Sequence, residues 1–353
     1  MKRNSPEYKI WILHRNEKNL KRRTRKKKAK KAALTRAIQY NTKAKAAPNY
    51  NVKEKRVEFK VPLNFSFIDN PEETVQFFNG IIRFITNSQN FGKRIYIDIS
   101  RITNLTIDAL MYLLAIVNNM NENFRNKFSF SGNEPSSPEI CKLFKESGFY
   151  SFVKRIGNTP LSQNADTVQI VSGNNSNPEV PKQLIDFIIS KTNLTKIDLK
   201  FLHVIMVELM ANTHKHAYNN SVLLPSWYCF AEYKKDENKV AFTFMDTGEG
   251  IPSTVRKNFG EKLDILKLKG ESKYVISALN GDFRTSTAMH YRGQGLPKVR
   301  KFCSDEKISD FRIITNKADV RCLPQDYRSS DMELPLRGTL FYWTINLEKL
   351  KGE

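Results

Sequence analysis

Three short segments constrain this chain most: Glu208–Ala217 (ELMANTHKHA), Asp246–Ile251 (DTGEGI) and Arg292–Pro297 (RGQGLP). They follow one another within a single stretch of 90 residues, and each supplies what the others lack. The apolar run Phe201–Met210 has helical spacing and no Gly or Pro to interrupt it. Glu208 and Asn212 are four apart and so share a face of that helix. A carboxylate there can orient or deprotonate a water, and an amide oxygen beside it can join the oxygen shell of a magnesium ion. Lys215, on the same side, can meet a phosphate, and His216 follows on the Asn212 face.

The second segment closes an apolar, β-branched and aromatic run, Val240–Met245, which the pattern predicts as a buried strand. Asp246 stands at its end, where an acid can accept a hydrogen bond from an exocyclic amine such as that of adenine. Gly248 and Gly250 permit a tight turn and a close backbone approach. In the third segment Gly293 and Gly295 precede a basic helix, Lys298–Phe302, whose free N–H groups suit phosphate. Singly, a helix end with scattered polar groups, an Asp-Thr-Gly turn and a GxG are ordinary surface features. Their combination is specific.

That combination resembles the GHKL superfamily, the Bergerat-fold ATP-binding domains of histidine kinases, gyrase and anti-sigma-factor kinases. Glu208 and Asn212 match its ExxxN box, Asp246, Gly248 and Gly250 its DxGxG box, and Gly293 and Gly295 its GxGL box. Gly338-Thr339 running into Leu340–Ile345 is similar to its closing strand. The resemblance covers residues 165–350 and implies a two-layer α/β sandwich (α+β) with a mixed sheet. It further implies ATP and Mg2+ as cofactors. Asn212 would hold magnesium, Glu208 would be the general base or position the water, and Lys215 and His216 would lie at the nucleotide. Asp246 would recognise the adenine amine, directly and through a water shared with Thr339. Gly293 and Gly295 would let a lid, residues 252–291, close over the phosphates, with Arg284 or Arg292 neutralising the terminal one.

Residues 57–155 follow a different pattern. A strand over 94–100, a helix over 108–117 with an acidic start, a strand over 128–132 and a helix over 140–147 capped by Ser137-Pro138-Glu139 predict a small α/β layer. Ile97–Leu114 and Cys141–Val153 resemble the STAS domain of anti-sigma-factor antagonists. The match departs at the phosphorylatable serine, for Asp108 stands about where it would be and Thr106 precedes it. Asp108 is either a fixed charge in place of a phosphoserine or an ordinary acid at a helix start, the second being the simpler reading. The STAS-like part would dock a protein partner.

Charge separates a third region. Residues 1–56 hold 20 Lys+Arg and 3 Glu, so +17 of the formal +22 lies in this basic arm. Its densest stretch, Lys21–Lys31, repels itself too strongly to fold alone but is built from good helix formers. Nucleic-acid phosphate is the natural partner, with binding largely independent of sequence, and the alternatives are an anionic membrane surface or an acidic protein. No apolar run reaches the length of a membrane span, and no secretion signal is legible at the N-terminus. Cys141, Cys229, Cys303 and Cys322 are scattered without pairing or zinc spacing, which predicts reduced thiols and a cytoplasmic location. The Asn/Pro/Ser-rich stretch 172–181 reads as a loop.

Of the five histidines, His14 lies in the arm and the rest fall in the ATP half, so the phosphoacceptor helix of a histidine autokinase is not expected. A transducer domain of the gyrase kind is not expected after Ile345 either. Three functions remain: an ATP-hydrolysing switch, a serine/threonine kinase of the anti-sigma-factor type, and an ATP-binding adaptor without turnover. Glu208 favours the first, and homodimerisation is compatible with all three.

Overall fold

Short helical crossovers build the first layer. The structure, a computed structural model, describes residues 56–352 apart from 125–126, 154–163, 217–224, 266 and 284–294. The chain enters at β1 (Arg56–Lys60), β2 (Asn64–Phe65) and α1 (Pro71–Thr86), then β3 (Arg94–Asp98), β4 (Asn104–Leu105) and α2 (Ile107–Asn123). β5 (Ser129–Gly132) and α3 (Pro138–Glu146) follow. Strands joined through helices run parallel, and the three-stranded sheet β1-β3-β5 does so throughout. β2 and β4 form a second, two-stranded parallel pair. Local chemistry sets the boundaries: Pro71 opens α1 with Glu72 and Glu73 in its first turn, and the Ser137 hydroxyl accepts the Ile140 N–H at the start of α3.

The second region comprises β6 (Thr167–Gly173), α4 (Glu179–Lys191), α5 (Lys200–His216), β7 (Trp227–Lys234) and β8 (Lys239–Asp246). After these come α6 (Ile251–Ile265), α7 (Glu271–Asn280), α8 (Gly295–Ser304), β9 (Ser309–Cys322) and β10 (Tyr327–Asn346). The stretch read as a loop over 172–181 is shorter than expected, since β6 ends at Gly173 and α4 begins at Glu179. The five strands form one sheet in the order β6-β7-β8-β10-β9. The mixed sheet expected here is not found, because all four pairings are antiparallel. Two of them, β7–β8 and β9–β10, are hairpins, whose short turns leave no room for the crossover a parallel pair needs.

Side chains alternate across this sheet, and both faces are buried. Phe242, Phe244, Phe311, Ile313, Phe341 and Trp343 point to α4, α5, α7 and α8. Phe242 and Trp343 stack there with centroids 5.2 Å apart. Tyr228, Phe230, Met245, Ile314 and Leu340 point the other way, into a core shared with α1 and α2. Helix α2 is buried at every position from Asp108 to Val117, as a helix apolar on all sides must be. It lies between the two sheets, and Glu54–Glu353 form one compact unit. Polar contacts add to the apolar packing: Arg312 of β9 pairs with Asp319 at 2.6 Å and donates to the Ile68 carbonyl. Tyr112 of α2 donates its hydroxyl to the Arg337 carbonyl at 2.9 Å. Among the described residues no helix is long and apolar enough to cross a membrane.

Candidate functional site

Register brings the first group of residues together. Asp246, the last residue of β8, lies opposite Thr339 of β10, and Thr339 lies opposite Thr315 of β9. By strand alternation these three side chains share the face covered by α5 and α8. All are buried, Asp246 to 9 % exposure. Thr315 Oγ1 meets Thr339 Oγ1 at 3.2 Å, and the Thr315 hydroxyl donates to the Gly338 carbonyl at 2.9 Å. The Asp246 carboxylate accepts the Gly248 N–H at 2.8 Å and the Thr339 hydroxyl. Burial pushes its pKa up from 3.8 to about 6, against the opposing pull of those two donors. The carboxylate is thus mainly ionised at neutral pH while facing few water molecules.

Two glycines let the backbone come this close. Gly338, at φ +102°, sits so near β8 that a Cβ would collide with the Asp246 carbonyl oxygen. Gly250, at φ +84°, abuts the side chains of Thr315 and Asn316. Asn316 Oδ1 accepts the Ser253 N–H at 3.2 Å, and Thr315 Oγ1 accepts the Ile251 N–H at 3.1 Å. The turn 246–250 and the start of α6 are therefore fastened to β9.

Helices build the second group. Glu208 and Asn212 stand on α5 four residues apart, both half-buried. Gly295, the first residue of α8, packs on Glu208: a Cβ there would lie 2.8 Å from Glu208 Oε2. One turn later Lys298 places Nζ 2.8 Å from Glu208 Oε1. The carboxylate is thus paired with a lysine on one oxygen, and its other oxygen occupies space that only a glycine at 295 leaves open. Carboxylate and amide oxygens on one helix face are the donor class a magnesium ion takes, so this pair fits the metal the resemblance implies. A single apolar core, through Leu209, Met210, Phe244, Val299 and Phe341, fixes α5 and α8 on the sheet that carries Asp246.

The expected lid contains two helices, α6 (Ile251–Ile265) and α7 (Glu271–Asn280). Val255, Phe259, Tyr274 and Phe283 pack between them. Asp331 of β10 accepts the N–H groups of Glu271 and Ser272 at 3.0 and 2.7 Å, capping α7. Glu271 in turn pairs with Arg256 at 2.8 Å and accepts the Lys317 N–H. Arg284, Arg292 and Gly293 lie outside the described residues, as does the arm up to residue 55. Lys215 and His216 are helical positions of α5 whose side chains also lie outside the description.

Asp108 is a buried anchor, not a displayed charge. At 2 % exposure it accepts the Phe67 N–H and the Thr106 hydroxyl, both at 2.8 Å. Burial raises its pKa to about 6.

Sequence reasoning missed Lys298 and Thr315. Lys298 had a weak signal, standing one helical turn after a glycine of the third segment. Thr315 lies within β9, directly after the apolar pair Ile313-Ile314, but its partner depends on a strand register that no local pattern contains. The chain matches no family model and no curated protein.

Proposed function

We propose that the chain binds ATP with magnesium and hydrolyses it, as a switch of the GHKL type on a Bergerat-like α+β scaffold. One observation carries this reading: residues as distant in sequence as Asp246, Thr315 and Thr339 form a buried polar row on the sheet face covered by the helices bearing Glu208 and Gly295.

Each residue then has a task. Asp246, ionised and shielded, would accept a hydrogen bond from the adenine amine, with Thr339 and Thr315 fixing its orientation. Asn212 would hold the metal through its amide oxygen. Magnesium, when bound, supplies neutralising charge on the phosphate oxygens. Glu208 would take the proton of a water as that water's oxygen bonds to the terminal phosphorus and the bridging P–O bond to ADP breaks. The STAS-like layer would dock a protein partner, and the arm of residues 1–56 would hold nucleic acid through its phosphates.

The test is ATP binding by calorimetry, together with release of free phosphate and labelling of protein from γ-labelled ATP. It is run with and without nucleic acid. Glu208→Ala is expected to bind ATP without turnover, and Asn212→Ala to lose magnesium-dependent binding. Label on protein instead of free phosphate would replace hydrolysis by protein phosphorylation. No ATP binding by the wild type would end the reading.

A further inference from the structure

The grip of Lys298 on Glu208 is unusual for a residue expected to act as a base. Oε1 of Glu208 is occupied by the ammonium at 2.8 Å, and Oε2 faces Gly295. In this arrangement one of the two carboxylate oxygens is engaged by a cation rather than by water. The lysine is the less fixed partner: its side chain is 45 % exposed, against 21 % for Glu208. An ammonium has three donors and spends one on this carboxylate. A triphosphate offers more negative charge and more acceptor oxygens than one carboxylate, so phosphate arriving beside Asn212 competes for the lysine.

We propose that Lys298 is a ligand of the terminal phosphate of a bound nucleoside triphosphate, released from Glu208 when that phosphate arrives. The inference rests on the nucleotide reading above and deepens it. The exchange swaps one ion pair for another and makes or breaks no covalent bond. It ties availability of the base to the presence of a third phosphate: with a diphosphate bound, Lys298 stays on Glu208.

The experiment compares dissociation constants for ATP and ADP, each with magnesium, in the full chain and in Lys298→Gln, Lys298→Arg and Glu208→Gln. Lys298→Gln should weaken ATP about tenfold, on the scale of one charge-assisted hydrogen bond, and ADP less than about twofold. Lys298→Arg should keep most of the preference for ATP. Glu208→Gln, which loosens the hold on Lys298, should bind ATP more tightly, and should still report if the Lys298 variants fail to fold. Equal weakening of ATP and ADP, or no change in either beside an unchanged Glu208→Gln, overturns the exchange while leaving nucleotide binding intact. A wild type that binds neither nucleotide overturns both readings, which separates the two failures.

Discussion

The two ends of the candidate site are built from different materials. The Asp246 end is made by strands: its residues are fixed by register, and its close contact, at Gly338, is with backbone. The Glu208 end is made by helices: its close contact, at Gly295, is with the tip of a flexible side chain. Backbone in a sheet cannot yield without breaking ladder hydrogen bonds, whereas a carboxylate can turn about its χ angles. On the proposed reading, the first end would recognise a rigid base and the second would hold groups that exchange partners.

The same substitution should therefore act differently at the two ends. Gly338→Ala places a methyl group against the Asp246 carbonyl at a positive φ, where an L side chain is strained. It should destabilise the fold by more than about 3 kcal/mol, read from urea unfolding. A loss below about 1 kcal/mol would show that the strand end is plastic and would erase the contrast. For Gly295→Ala the nearest contact is Glu208 Oε2, on a carboxylate that can swing aside. Stability should change by less than about 1 kcal/mol, while the proposed ATP turnover should fall on the order of a hundredfold as the proposed base is displaced. Equal losses of stability in the two variants would count against the distinction.

The pH dependence of stability sharpens the recognition end. Asp246 titrates at about 6 when folded, above its ordinary value of 3.8. Between about pH 4 and 6 the folded chain keeps a proton that the unfolded chain has released. This group's contribution therefore falls as pH rises through that window and is level above it. Asp246→Asn should flatten the fall by about 3 kcal/mol, leaving the part due to Asp108, whose value is also raised to about 6. A slope identical to that of the wild type would mean that Asp246 is better hydrated than its burial indicates.

Much of this arrangement was legible in the sequence. The strand ending at Asp246, the helix carrying Glu208 and Asn212, and the cap at Ser137 all rest on local signals: period, turn residues and capping chemistry. What was not legible depends on pairing at a distance. Nothing local says that Lys298 faces α5 rather than solvent. The pattern over 252–283 gave no sign that Asp331, some 60 residues on, caps α7. The burial of α2 between two sheets is a mixed case. Its residues from Ala109 to Val117 are apolar all round, which signals contact on more than one side, but not with what.

That burial gives the smallest and most particular prediction. The Tyr112 hydroxyl donates to the Arg337 carbonyl from the sheet face opposite the candidate site. Arg337 precedes Gly338 and Thr339, so this contact supports the strand end from behind. Tyr112 is almost wholly buried, and its burial raises the phenol pKa further from neutrality. Tyr112→Phe keeps the ring and its packing against Phe67 and Phe78 but leaves the carbonyl without this donor. The cost should be about 1 kcal/mol of stability. If the strand end is held as one piece, nucleotide affinity should fall with it by a few-fold, through Thr339 and Asp246, with the ratio of ATP to ADP affinity unchanged. A shift in that ratio would mean that the contact reaches the Glu208 end as well, and the division between a fixed end and an exchangeable one would have to be redrawn.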